Sequence, residues 1–207
     1  MFSDRSDAGH QLATLGESHD IDADIVLAVP RGGRPVGREG ADRLGVPLDI
    51  VVARKIGAPW NSELAIGAVA SDGTVWLNDD LIEDTGIPGD YIDEQTDKER
   101  EAAREKFDRY RSDRPALDLH GKTVLVVDDG VATGATTTAC LRQVQTAGAT
   151  RVVLAVPVAP PDTVERLRTE ADDVLCVETP PHFGAVGQFY DRFTQVSDDE
   201  AMAFLEA

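Results

Sequence analysis

Five short apolar runs, rich in β-branched residues, punctuate this 207-residue chain: residues 25–29, 50–53, 124–127, 152–158 and 174–177. Each is continuous rather than alternating, the pattern of strands covered on both faces. Helical stretches are predicted between several of them, over 34–44, over 134–147 (with Gly148 placed to end it) and over 161–171. An amphipathic helix over 3–17, with Ala8, Leu12 and Leu15 on one face, precedes the first run. This alternation predicts an α/β fold, a doubly wound, mostly parallel five-stranded sheet. Hydrophobic residues make up 42% of the chain, enough for one core. No internal repeat or low-complexity tract divides it, so residues 1–207 read as a single domain.

Three stretches depart from that pattern. Residues 65–78 read as a β-hairpin turning at Ser71-Asp72-Gly73. Residues 56–64 ahead of it read as a loop able to close over a site, making 56–80 a loop-and-hairpin insertion. Residues 90–112 read as a long charged helix whose thin stripe of Ile92, Ala103, Phe107 and Tyr110 covers one side of the sheet. Residues 180–207, with Phe183, Phe189, Tyr190 and Phe193, read as a small C-terminal cap.

Charge limits the partners. The 38 acidic residues comprise 25 Asp and 13 Glu; the 20 basic ones comprise 16 Arg and only 4 Lys, for a formal net charge of −18. Such a surface repels nucleic-acid backbones and anionic membranes, which excludes both as general partners. An acidic, lysine-poor surface is similar to that of proteins adapted to molar salt, where screening relieves self-repulsion, so a halophilic protein is expected. Cys140 and Cys176 are too few for a disulfide framework, and no Cys/His spacing suggests zinc. With no apolar run of about 20 residues and no apolar segment at the N-terminus, the expected location is cytoplasmic.

The acidity has a gap. Between Val26 and Pro59 stand Arg31, Arg34, Arg38, Arg43, Arg54 and Lys55 against Glu39, Asp42 and Asp49. A basic island in so acidic a chain points to an anionic ligand, with Arg38 and Arg43 instead set aside for surface carboxylates.

The most informative string is Val124-Leu125-Val126-Val127-Asp128-Asp129-Gly130-Val131-Ala132-Thr133-Gly134-Ala135-Thr136-Thr137. A buried strand delivers two carboxylates at its C-terminal end, where α/β sheets bind ligands. A Thr/Gly-rich turn then opens into a helix, whose free amides and dipole suit a phosphate. Adjacent carboxylates there suit sugar hydroxyls, a divalent cation or a developing positive charge. The turn lacks the lysine of a Walker A loop, and Gly32-Gly33-Arg34-Pro35-Val36-Gly37 lacks GxGxxG spacing.

This string resembles the 5-phosphoribosyl 1-diphosphate (PRPP) motif of the type I phosphoribosyltransferases, and the resemblance runs over roughly residues 20–180. It implies an enzyme that moves the phosphoribosyl group of PRPP to a nitrogenous base or similar acceptor, releases pyrophosphate and uses Mg²⁺. It also implies roles. Ala132, Thr133, Gly134, Ala135, Thr136 and Thr137 would hold the 5′-phosphate. Asp128 and Asp129 would hold the ribose hydroxyls, with Mg²⁺ bound through PRPP and both carboxylates as candidate metal ligands. Arg31, Gly32, Gly33, Arg54 and Lys55 would take the pyrophosphate. The family also tends to hold a cis peptide in the pyrophosphate loop, here Val29–Pro30 or Pro30–Arg31.

One departure bears on the acceptor. Hypoxanthine–guanine enzymes carry an aspartate where this chain has Ala132, whereas adenine and orotate enzymes lack it. The pattern looks most like phosphoribosyltransferases with no assigned base. An acceptor would stack on Phe183 with Ala132 on the pocket floor. The same fold also serves non-catalytic PRPP- or nucleotide-sensing regulators, and a phosphorylated-sugar hydrolase is a further alternative. A homodimer is left open.

Overall fold

The computed structural model describes residues 1–111, 114–197, 200 and 202–203. Its helices are α1 (Arg5–Ser18), α2 (Gly33–Leu44), α3 (Asp79–Thr85), α4 (Gly89–Arg111), α5 (Ala135–Thr146) and α6 (Pro161–Leu167), with a 3-10 turn at Val186–Phe189. Its strands are β1 (Ile25–Ala28), β2 (Leu48–Ile50), β3 (Ala53–Ala58), β4 (Asn61–Ala70), β5 (Val75–Leu77), β6 (Thr123–Val127), β7 (Arg151–Val158) and β8 (Asp173–Glu178).

Strands β1, β2, β6, β7 and β8 form one parallel sheet in the order β2-β1-β6-β7-β8. The apolar runs are continuous because both faces are buried. Val26, Ala28, Leu125, Val127, Val153 and Ala155 face one core with Leu12 of α1 and Val36 of α2. Their neighbours Ile25, Leu27, Val124, Val126, Val152 and Leu154 face the other, with Leu141 and Val144 of α5 and Leu167 of α6. Each large side chain among these contributes about 1.5–3 kcal/mol on burial.

The strand order reverses between β1 and β6. From β1 the chain winds outward to β2, and from β6 it winds the other way to β7 and β8. The carboxyl ends of these two strands therefore flank a crevice, the place where open α/β sheets bind ligands.

Antiparallel β3, β4 and β5 form a second, three-stranded sheet. Here the structure corrects the sequence reading. The run at 50–53 is not one strand: β2 ends at Ile50, and Ala53 opens β3 in the other sheet. Residues 56–64 are not a loop but much of the β3–β4 hairpin, with Ile56 and Ala58 buried. Two register irregularities lie between Ile56 and Ala58, and a Cβ on Gly57 would sit 2.6 Å from the Ser62 carbonyl oxygen, so glycine lets the hairpin close. The hairpin at 65–78 is present, with Gly73 at φ +96° in its turn and the first strand extended back to Asn61. Ala65, Ala68 and Ala70 give β4 a small-residue surface on which Ala135 and Ala139 of α5 pack.

The charged helix ends at Arg111 among the described residues; Ser112 lies outside them. It does cover sheet structure, with Ala103 and Tyr110 buried. Helix α6 stops at Leu167 rather than 171, where Thr169 and Glu170 turn back on the carbonyls of Arg166 and Leu167. The C-terminal cap is described up to 197 and at 200, 202 and 203. It is tied to the N-terminus: Phe2 N–H donates to Phe189 O (2.8 Å), Asp191 N–H to Phe2 O (2.8 Å), and the Phe2 and Tyr190 rings lie 5.3 Å apart. No described helix is long and apolar enough to cross a membrane.

Candidate active site

Strand β1 runs into Val29-Pro30-Arg31-Gly32-Gly33, and β6 runs into the Asp128-to-Thr137 loop. The Pro30–Arg31 bond is cis, which decides between the two candidates. The two loops touch. A Cβ on Gly32 would lie 1.9 Å from Asp129 Oδ2, and one on Gly33 would lie 2.7 Å from Val127 O and 3.0 Å from Asp128 Cα. Only glycine permits that approach.

Two helix N-termini open at the crevice, α2 at Gly33 and α5 at Ala135, and no side chain caps either. The first amides of a helix have no acceptor within it, and the dipole adds positive character; at α2, however, the Gly33 and Arg34 N–H groups donate to Val29 O (3.0 Å) and Arg31 O (3.4 Å) and Pro35 has none. At α5, Gly134 takes φ +75°, and the first intrahelical bond runs from Thr138 N–H to Gly134 O. The amides of Ala135, Thr136 and Thr137 therefore lie in the free first turn. Ala132 and Thr133 are exposed, Thr136 is half-buried and Thr137 is buried. Helix α6 fixes the loop from behind: Thr163 Oγ1 donates to Ala132 O (2.8 Å) and Arg166 to Thr133 O.

Asp128 and Asp129 are both half-buried. Asp128 Oδ1 accepts the Asp129 N–H (2.8 Å). Burial, then the neighbouring Asp129 charge, pushes the Asp128 carboxyl well above the usual carboxylate range. Burial also raises that of Asp129, against the opposing pull of Arg5.

Arg5 is a site residue that the sequence reading misses. Its Nε donates to Asp129 Oδ2 at 2.7 Å, with the two side chains 11% and 14% exposed. Its Nη1 donates to Thr194 O (2.7 Å), and its guanidinium lies 3.9 Å over the Phe193 ring. Tyr190 Oη donates to the Asp129 carbonyl (2.5 Å). The N-terminal helix and the cap thus meet the site at one residue. The sequence does hold a signal for this: a cation in the first turn of a helix opposes the dipole, so it tends to need a nearby carboxylate.

The basic island divides as its charges suggest. Arg38 pairs with Asp42 (2.5 Å) and Arg43 with Glu17. Arg34 is fully buried, with its guanidinium 4.2 Å over the Tyr110 ring. Arg31 and Arg54 line one open cavity beside the cis loop. Lys55 does not; it lines the neighbouring groove and pairs with Glu63 (3.0 Å). Arg54 borders both and pairs with Glu99 (2.8 Å).

Phe183 packs on Phe189 (5.1 Å between centroids) at the edge of the cluster of Phe2, Val158 and Tyr190. That cluster reaches the site through Val186, which a Cβ on Gly130 would meet at 2.6 Å. Cys140 and Cys176 are free; burial pushes the Cys176 thiol up to about 11 and that of Cys140 higher, so both are inert as nucleophiles.

Comparison with known proteins agrees with this geometry. The chain is 45% identical over 206 residues to "Putative phosphoribosyl transferase Rv0571c" of Mycobacterium tuberculosis, and spans about half the length of the curated relatives it matches (46%). It is 41% identical to the protein TT1426 of Thermus thermophilus, whose crystal structure it matches with a TM-score of 0.83 over 99% of this chain and 97% of that one. The structure of AQ2163 protein from Aquifex aeolicus shares the fold alone, at 12% identity and a TM-score of 0.51 over 84% of this chain and 73% of that one. The profile of the phosphoribosyl transferase domain matches residues 8–194, and the chain belongs to that family.

Proposed function

We propose that this chain transfers the 5-phosphoribosyl group from PRPP to a nitrogenous acceptor and releases pyrophosphate. The contact of Gly32 and Gly33 with Asp128 and Asp129, between two uncapped helix N-termini, is the observation that carries the reading. It sets the free first amides of α5 and the basic loop after β1 beside a pair of carboxylates in one crevice.

In this reading the 5′-phosphate sits on the loop from Ala132 to Thr137, held by the first amides of α5 and the Thr133 and Thr136 hydroxyls. The carboxylates of Asp128 and Asp129 accept from the 2′- and 3′-hydroxyls. Their negative charge then stabilises the positive charge that develops on the ribose as the bond to pyrophosphate breaks. Arg31, Arg54 and the Gly32 amide receive the leaving group, Gly33 lets the loop approach while its own N–H donates to Val29 O (3.0 Å), and Lys55 adds positive charge from the next groove. One well-placed donor of this kind contributes about 3–4 kcal/mol.

Among the described residues no group of three or more His, Cys, Asp or Glu forms a metal cage. Two carboxylates beside a phosphate site suit Mg²⁺ carried in on PRPP oxygens, with Asp128 and Asp129 as its protein contacts. When bound, the ion neutralises charge on the diphosphate. The acceptor would enter beside the cap, against Phe183 and Ala132. The acidic, lysine-poor surface supports a protein working in concentrated salt in the cytoplasm. A screen of PRPP with candidate bases in molar KCl, reading pyrophosphate release, tests the activity. Release that depends on one base supports transfer; with none, a PRPP-sensing role takes its place.

A further inference from the structure

Helix α4 looks from its sequence like a solvated cover, yet its C-terminal half faces the crevice. Lys106 Nζ donates to the carbonyl of Pro30, the residue that opens the cis bond, at 3.2 Å. The same ammonium is close enough to act electrostatically on Asp128. One turn further, Arg109 joins Lys106, Arg31 and Arg54 around a cavity of about 290 Å³, in which Glu105 is the one lining carboxylate among the described residues.

Even with Glu99 paired to Arg54, four cations stand against two carboxylates here, the reverse of the composition of a chain of net charge −18. Concentrated positive charge at a fixed concave surface is the arrangement that binds a multiply charged anion. The wall is also anchored. Arg111 pairs with Asp49 of β2 through two bonds of 2.9 and 3.0 Å, with both side chains 8% exposed. Tyr110 is buried between Arg34 (4.2 Å) and Lys106 (5.9 Å). Less ordering is then left for a ligand to impose.

We propose that α4 forms the outer wall of the diphosphate subsite, with Lys106 and Arg109 joining Arg31 and Arg54 as ligands of the pyrophosphate moiety. The proposal rests on the phosphoribosyltransferase reading of the same crevice and adds an element that lies outside the two loops. Calorimetric titration with inorganic pyrophosphate and with ribose 5-phosphate, each with Mg²⁺, tests it. Lys106→Ala/Arg109→Ala is expected to weaken pyrophosphate binding about 30-fold or more, as loss of charge-assisted contacts implies. Its ribose 5-phosphate affinity stays within about twofold of wild type, and Lys106→Arg/Arg109→Lys restores most of the pyrophosphate affinity. Unchanged pyrophosphate affinity in the alanine variant, with PRPP still bound by wild type, overturns the α4 proposal and leaves the wider reading intact. Equal loss of both ligands also overturns it, because the helix would then support the site only structurally. A wild-type protein that binds neither PRPP nor ribose 5-phosphate overturns the wider reading instead.

Discussion

Arg5 Nε lies 2.7 Å from Asp129 Oδ2, so the first turn of the N-terminal helix holds a carboxylate of the crevice 124 residues away. Removing the cation strands a mostly buried charge, which costs about 3 kcal/mol or more. Arg5→Met should lower the urea midpoint accordingly. Asp129→Asn added to it should recover part of the loss, because no charge is then left unpaired. An Arg5→Met protein as stable as wild type removes any role for the pair.

Much of the fold is legible in the sequence, for a physical reason. A strand buried on both faces must be apolar at every position, so β1, β6, β7 and β8 stand out in the chain. The Asp128-to-Thr137 loop is equally plain because one local segment supplies both the carboxylates and the helix start. Strand β3 is hidden: Arg54, Lys55 and Gly57 break its pattern, and its partners come later in the chain. Arg5 and Lys106 are hidden differently. Each is an ordinary charge on an amphipathic helix until tertiary packing sets it against Asp129 or Pro30.

Asp128 gives a pH signature. Its carboxyl is raised by burial and by Asp129, so the folded state keeps a proton that the unfolded chain, near 3.8, has lost. Stability from this group is complete below the unfolded value and is lost as pH rises through the raised one. In metal-free, ligand-free protein, Asp128→Asn should melt higher than wild type at about pH 7.5, with the gap closing toward about pH 4. A gap that is constant across that range contradicts the assignment.

Self-repulsion of a surface at −18 should ease as salt screens it. The melting temperature is expected to climb from millimolar to molar KCl. A flat or falling curve excludes salt adaptation.

In the proposed function Phe183 serves the acceptor and not PRPP. The ring packs on Phe189 at the cap, away from the 133–137 loop in sequence and on a different wall in our reading. Phe183→Ala should raise the KM for the acceptor while PRPP affinity stays close to wild type. If PRPP binding falls with it and the protein melts several degrees lower, Phe183 belongs to the core of the cap.

The central claim is that Asp128 and Asp129 hold PRPP in the crevice between β1 and β6. Calorimetry of PRPP with Mg²⁺ in molar KCl tests it most directly, on wild type and on Asp128→Asn/Asp129→Asn. The double variant should fold in the absence of ligand, with a somewhat lower melting temperature because Arg5 loses its carboxylate partner. Relief of the repulsion between the two half-buried carboxylates offsets part of that cost, and Arg5 keeps its contacts with Thr194 O and the Phe193 ring. Wild type should bind one PRPP per chain, and the variant should bind at least about 100-fold more weakly, as loss of two charge-assisted hydrogen-bond sets implies. Equal PRPP affinity in the two proteins would contradict the account.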